Sequence, residues 1–337
     1  MLDLRPFVRW IPATFAPLVH IGPGPADYTD RVGSTDVALY GSADMACILY
    51  SIDALDASGQ AAAWLDTLSR FQDPRSGYLI SSDASLSKVH NTAFAIGAMN
   101  LFNPDLPNGV RPPHRLEFAT NFDTPEKMTR YIKSQNWTTD VYESGENVIG
   151  LASAFANVSG VVPATWIPWF MDYVDRTMVD SSSGLLGQDK PPAGDLDQVG
   201  GTVHFAFFWA YCKRHLPHVE KRVDAILGLQ QPNGLWDDNN PWWMTFDATY
   251  MLARAAAAKP QYRAADVRHA VHKALTVVFE RAMDQSLREA DFYQPVLGVH
   301  NLTGAISLFA NAQEFLGADA VGTDCPLRLV LNRRPYI

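Results

Sequence analysis

Two kinds of helical segment alternate along this chain. One kind is uncharged, small and aromatic nearly all round, and opens on a single polar residue. It reads Asp44-Met-Ala-Cys-Ile-Leu, His90-Asn-Thr-Ala-Phe-Ala-Ile, Asn147-Val-Ile-Gly-Leu-Ala, His204-Phe-Ala-Phe-Phe-Trp, Asp247-Ala-Thr-Tyr-Met-Leu-Ala and His300-Asn-Leu-Thr-Gly-Ala-Ile. The other kind, at 126–133, 219–227 and 267–275, carries apolar residues at helical spacing with charges between them. Val267, Val271, Ala274, Leu275 and Val278 form one such stripe. An apolar stripe with a charged back describes a helix with one wet face, whereas a helix apolar all round is buried.

The six opening residues follow one another at intervals of 46, 57, 57, 43 and 53. A period near fifty residues is the signature of a repeat architecture. Polar turns recur between the two kinds of helix: Gln72-Asp-Pro-Arg-Ser-Gly-Tyr, Asp180-Ser-Ser-Ser-Gly-Leu-Leu and Gln230-Gln-Pro-Asn-Gly-Leu-Trp. Each ends an outer helix in a glycine turn before a residue that packs back. The pattern predicts an all-α fold, a single domain over 1–337 in which six helical hairpins close into an (α/α)6 toroid with parallel inner helices. The proline-rich segment 1–32 is expected to be irregular, and 317–337 to be an extended tail that closes the ring.

Composition narrows the class. The chain is 47% hydrophobic and 19% charged, with a net charge of −9, so it can bury a large core and lacks the basic patch of a nucleic-acid binder. Cys47, Cys212 and Cys325 make no disulfide framework, and the N-terminus does not read as a secretory signal, which together fit a cytoplasmic protein. The uncharged run 147–171 is long enough to span a bilayer, but Gly160, Pro163 and Pro168 mark it as the apex of a hairpin, so no membrane span is expected.

If the inner helices are parallel, the six opening residues share one mouth of the barrel. Helix N-termini attract anions. Three His there could supply acid and base on opposite sides of a substrate, with the Asp residues orienting them or titrating themselves. A single buried His is more often structural; a register-matched set is costly to bury without a use. The expected catalytic set is Asp44, His90, His204, Asp247 and His300. Trp209, Trp242 and Trp243, with Asn147 and Asn301, are expected to hold the substrate, although aromatics of this kind also fill ordinary cores. A divalent metal among the His and Asp is conceivable, but no close-spaced ligand pair supports one, and no cofactor is expected.

Gln230-x-x-x-Gly-x-Trp236 has the spacing of the QW repeat, and Gln72 to Tyr78 is a looser version. With the repeat period, the chain resembles the terpenoid cyclase/protein prenyltransferase α/α-toroid superfamily over most of its length. The resemblance implies a toroid around an aromatic cavity and an enzyme that cyclises or isomerises a small prenyl-type substrate. Class II cyclases protonate an alkene with the central Asp of DxDD; Asp195-Leu-Asp197-Gln198 offers Asp197 as that acid, with Gln198 replacing the last Asp. An Asp before a helix also ordinarily caps it, and Pro191-Pro-Ala-Gly is turn chemistry. Prenyltransferases bind zinc through Asp, Cys and His; Asp247 and His300 fit two such positions, but Thr249 stands where Cys is wanted. The rival readings are an intracellular carbohydrate-active barrel enzyme (a sugar epimerase, lyase or hydrolase) working through His/Asp pairs, and a non-catalytic scaffold with a packed centre.

Overall fold

The computed structural model describes residues 1–81, 87–102, 111–187, 194–294 and 297–337; residues 191–193 of the turn before Asp195 lie outside them. The protein is all-α. The strands among the described residues are the two-residue β1 (Leu2–Asp3) and β2 (Val321–Gly322), paired in parallel.

Six helices are buried on nearly every face: α3 (Leu39–Ser51), α5 (Lys88–Asn100), α7 (Val141–Asn157), α9 (Leu196–Tyr211), α11 (Trp243–Ala258) and α14 (Gly298–Leu316). Each packs against the next in this order, and α14 packs against α3, so the contacts close on themselves. Between them in sequence run α4 (Ala61–Ser69), α6 (Pro125–Ser134), α8 (Trp166–Thr177), α10 (Val219–Gly228) and α12 (Ala264–Met283), each burying one stripe. On α12 the stripe is Val267, Ala270, Val271, Ala274, Leu275, Val278 and Ala282. The short α13 (Gln285–Phe292) follows it. The uncharged run 147–171 spans the end of α7 and the start of α8, and among the described residues no helix is long and apolar enough to cross a membrane.

The N-terminal segment differs from expectation. Residues 5–19 are helical, as α1 (Arg5–Trp10), a wide turn at Ile11–Phe15 and α2 (Ala16–Val19). Pro6 falls in the first turn of α1, where a missing N–H breaks no helical bond, and Pro12 and Pro17 fall at the second positions of the wide turn and of α2, where the hydrogen-bonding pattern of the run changes. Phe7 packs on Phe292 and Phe309, so this run covers the last repeat as well as preceding the first.

The turns that lead from a helix buried on one stripe to a helix buried all round share one construction. Gly77, Gly184 and Gly234 have φ of +80°, +70° and +104°, a conformation that disfavours a side chain. Each glycine carbonyl accepts from a side chain: Gln72 Nε2 at 2.9 Å, Arg222 Nη1 at 3.0 Å and Gln230 Nε2 at 2.8 Å. Gln230 also donates to Ala270 O of α12 (2.9 Å), and Gln72 to His114 O (2.8 Å), which ties each turn to the following repeat. Trp236 donates Nε1–H to Ile226 O at 2.7 Å in the last turn of α10. The Gln and Trp of the repeat motif are therefore joinery.

The cycle of helix contacts closes through α14 and α3 directly and not through the C-terminal tail. A 3₁₀ turn at Val330–Asn332 packs against both α3 and α9, on opposite sides of the cycle of helices, and carries the tail into the centre. Arg334 and Tyr336 are fully buried there. The Arg334 guanidinium lies over the Phe94 ring (4.8 Å) and donates to Phe94 O (3.2 Å), Cys47 Sγ (2.9 Å) and Tyr336 O.

Candidate functional site

Three of the six buried helices carry the same local pattern, an aromatic residue four positions before an acid. The pairs are Tyr40 and Asp44 on α3, Tyr142 and Glu146 on α7, and Trp243 and Asp247 on α11. Residues four apart on a helix share a face. Together with His90 and Phe94 on α5, His204 on α9, His300 on α14 and Tyr336 from the tail, these faces meet in the centre.

The contacts fall into two linked groups. His300 donates Nδ1–H to Asp44 Oδ1 at 3.1 Å, and its ring lies against Trp243 with centroids 4.2 Å apart. The Tyr40 hydroxyl lies 3.3 Å from His300 Nε2 and 2.6 Å from His90 Nε2, and His90 Nδ1 lies 2.6 Å from the Tyr336 hydroxyl. In the second group, His204 donates Nδ1–H to Gly200 O at 2.8 Å, which leaves Nε2 bare. That nitrogen faces Glu146 Oε1 at 3.8 Å, and the same oxygen lies 3.7 Å from His90 Nδ1. These separations are too long for hydrogen bonds.

Burial sets the charge states. Desolvation lifts the Glu146 carboxyl to about 8, helped by Glu143 and Asp140, and lowers His204 to about 4. Burial also raises Asp247 well above the usual carboxylate range, with Glu146 adding to it, and pushes His90 well below the usual imidazole range. Near neutrality Glu146 is therefore largely protonated and His204 neutral, the reverse of their order in water. Asp44, His90, His204 and Asp247 are almost fully buried, whereas the side chains of Glu146 and His300 keep 18% and 13% of their surface accessible. Asp44 Oδ2, Asp247 Oδ2 and Trp243 Nε1 are buried and find no hydrogen-bond partner among the described residues.

The structure thus brings five expected residues together: Asp44, His90, His204, Asp247 and His300, with Trp243 beside them. Their depth differs from the expected common first turn. His90 and His300 are the third residues of their helices, whereas His204 is the ninth residue of α9. The field of a helix end fades beyond its first turn, so the centre is less anion-attracting than six aligned N-termini would make it.

The other expected residues lie elsewhere. Asp197 accepts from Val141 N (3.0 Å) and Tyr142 N (2.9 Å), capping the neighbouring helix α7, while Asp195 caps its own helix through Gln198 N (2.8 Å). This corrects the assignment of Asp197 as proton donor: its two carboxylate oxygens each hold a backbone N–H. Trp209 is fully buried against Phe170 and Phe205 and donates to Asp175 Oδ1 at 2.9 Å, and Trp242 packs on Phe292 and donates to Asp291 at 3.1 Å; both are core, facing α8 and α13 respectively. Asn301 donates to Asp291 O at 3.4 Å, on the α13 side. On α7 it is Glu146, the residue before Asn147, whose carboxyl approaches His90 and His204.

Sequence reasoning missed Glu146, Tyr40, Tyr142, Arg334 and Tyr336. The repeated aromatic-x-x-x-acid spacing would have found the first three. Nothing local marks the tail pair. Among the described residues no group of three or more His, Cys, Asp or Glu is placed to hold a metal ion. A cleft of about 500 Å³ lined by Arg111, His114, Arg115, Asp123 and Val161 contains none of the central residues. No protein-family model, no curated protein and no solved structure matches this chain.

Proposed function

We propose that the chain is an (α/α)6 toroid with parallel inner helices, and that its centre is an acid–base site acting on a small polar substrate. The toroid reading is supported by the cyclic order of contacts among the six buried helices and by the meeting of their polar residues. The reaction class is isomerisation or epimerisation of a sugar or similar carbonyl compound. Such a reaction needs a base to take a proton from carbon and an acid to return one elsewhere.

One observation carries this reading: a carboxyl held protonated to about pH 8 faces a bare imidazole nitrogen, next to a second imidazole fixed by a carboxylate. Perturbed titratable groups gathered at one place mark functional sites. The prenyl-cyclase reading keeps the support of the Gln230–Trp236 spacing, but Asp197 is occupied as a cap and two of its three aromatic wall residues point into the core. The scaffold reading is favoured by one fact, the filling of the centre by Arg334 and Tyr336.

The test is incubation of the purified protein in D2O with a panel of aldoses, ketoses and uronic acids, read by NMR, beside C10–C20 prenyl diphosphates read by extraction and mass analysis. Deuterium appearing next to a sugar carbonyl is the expected result. Prenyl products instead would establish the cyclase chemistry, and no turnover of either class would favour the scaffold.

A further inference from the structure

The cleft of about 500 Å³ between the segment 111–123 and the turn 158–161 after α7 shares no residue with the centre. Pockets that hold small molecules measure about 300–1,000 Å³. Its lining divides by chemistry: Leu116, Ala119 and Val161 give it an apolar side, and Arg111, His114 and Arg115 a basic one. Asp123 also lines it, but Lys127 Nζ lies 2.8 Å from that carboxylate and balances its charge. Arg111 has no hydrogen bond or ion pair among the described residues. The Arg115 guanidinium faces Glu117 Oε1 at 3.8 Å, beyond hydrogen-bond distance, with both side chains exposed. On a chain of net charge −9, two guanidinium groups without a bonded acid reverse the local sign.

The basic side stands on a fixed backbone. The buried Gln72 amide brackets the His114 peptide: its Oε1 accepts from His114 N and its Nε2 donates to His114 O, both at 2.8 Å. Gly77 lets the two segments touch, since a Cβ there would lie 2.2 Å from Arg115 O. Phe118 N donates to Ser76 O at 3.0 Å, and the Phe118 ring stacks on Tyr78 with centroids 3.9 Å apart. Lys127 Nζ also donates to Thr120 O at 2.6 Å, which holds the 3₁₀ turn Glu117–Asn121. The Gln72–Tyr78 turn thus fixes the main chain and leaves the basic side chains to the cleft, so less order has to be imposed when a ligand binds.

We propose that this cleft binds a small organic phosphate monoester, such as a nucleotide or a sugar phosphate. The phosphate lies on Arg111, His114 and Arg115, and the organic body lies over Leu116, Ala119 and Val161. A phosphate monoester presents three strong acceptor oxygens to two guanidinium forks and an imidazole, whereas a carboxylate presents two. The assignment is independent of the acid–base reading of the centre.

Calorimetric titration at low ionic strength tests this with adenosine monophosphate and glucose 6-phosphate, beside adenosine, glucose, glucuronate and inorganic phosphate. At least one of the two esters should bind, and more tightly than inorganic phosphate, which lacks the body, or glucuronate, which lacks the third oxygen. Adenosine and glucose should not bind, and added salt should weaken the ester. Arg111→Ala and Arg115→Ala should each weaken it by about tenfold or more, because each removes a charge-assisted pair. Glu117→Gln removes the acid that competes for Arg115 and should tighten it. All three substituted side chains are exposed, so the variants keep the fold. No binding of either ester at millimolar concentration, or binding undiminished in the folded double variant Arg111→Ala/Arg115→Ala, would overturn the proposal. So would any of the four comparison compounds binding as tightly as the esters.

Discussion

Replacing Asp197 separates a structural carboxylate from a catalytic one. Helix α7 begins with three N–H groups that have no partner within the helix: Val141 and Tyr142 donate to Asp197 at 3.0 and 2.9 Å, and Glu143 donates to Asp140 at 3.3 Å. Asp197 reaches them because α7 and α9 approach closely; a Cβ on Gly201 would lie 2.3 Å from Val141 O. Loss of an N-cap acceptor costs about 0.5–2 kcal/mol, and a hydrogen bond to a charged group contributes about 1.5–3 kcal/mol. Asp197 is half-buried, so water takes up part of the loss. Asp197→Ala should therefore destabilise the fold by about 2–3 kcal/mol. Asp197→Asn keeps one good acceptor and loses the charge that a helix N-terminus favours, and should cost about 1 kcal/mol. Urea denaturation measures both, and turnover per folded molecule should be unchanged. An Asp197→Ala protein as stable as wild type would refute the capping role. A stable Asp197→Asn protein without turnover would return Asp197 to the chemistry.

Further outcomes follow from the same contacts. Gly201→Ala should cost about 1–3 kcal/mol through overpacking, seen as a lowered thermal midpoint, because the obstructing atom is backbone. Glu146 binds its proton more tightly folded (about 8) than at its ordinary 4.5, so it makes stability fall as pH rises between those values. His204, at about 4 against 6.5, binds its proton less tightly when folded and makes stability fall as pH drops below 6.5. From pH 6.5 to 8 Glu146 acts without His204, and Glu146→Gln should remove a decline of about 2 kcal/mol across that range, read by urea denaturation at the two pH values. Trp209→Phe should lower stability by about 1 kcal/mol through the lost bond to Asp175 yet leave the rate of the folded protein unchanged; a raised KM would place Trp209 at the substrate after all.

The helical period was legible because burial dictates it: the stripe on α12 and the all-round apolarity of α3 and α14 follow directly from which faces meet water. The central residues were legible where a lone ionisable group interrupts an apolar helix, as at Asp44, His204 and Asp247. Glu146 was hidden because Asn147 opens the uncharged run, and a one-residue error turns a helical position by about 100°. Asp197 was ambiguous because motif spacing cannot say whether a carboxylate faces a cavity or the end of the next helix. The roles of Arg334 and Tyr336 are set by contacts with helices more than two hundred residues away, on which local sequence is silent. Residues 5–19 were misjudged because a count of prolines does not register that Pro6 sits in a first turn and that Pro12 and Pro17 sit where the run changes its hydrogen-bonding pattern.

Titrating Glu146 and His204 in one sample, through ¹³C-carboxyl and ¹⁵N-ring signals assigned with Glu146→Gln and His204→Gln, tests the buried acid–base centre most directly. The account predicts an inverted order, with the carboxyl midpoint near 8 and the imidazole midpoint near 4. A carboxyl titrating near 4.5 and an imidazole near 6.5 would mean that both sit in water, and would contradict it.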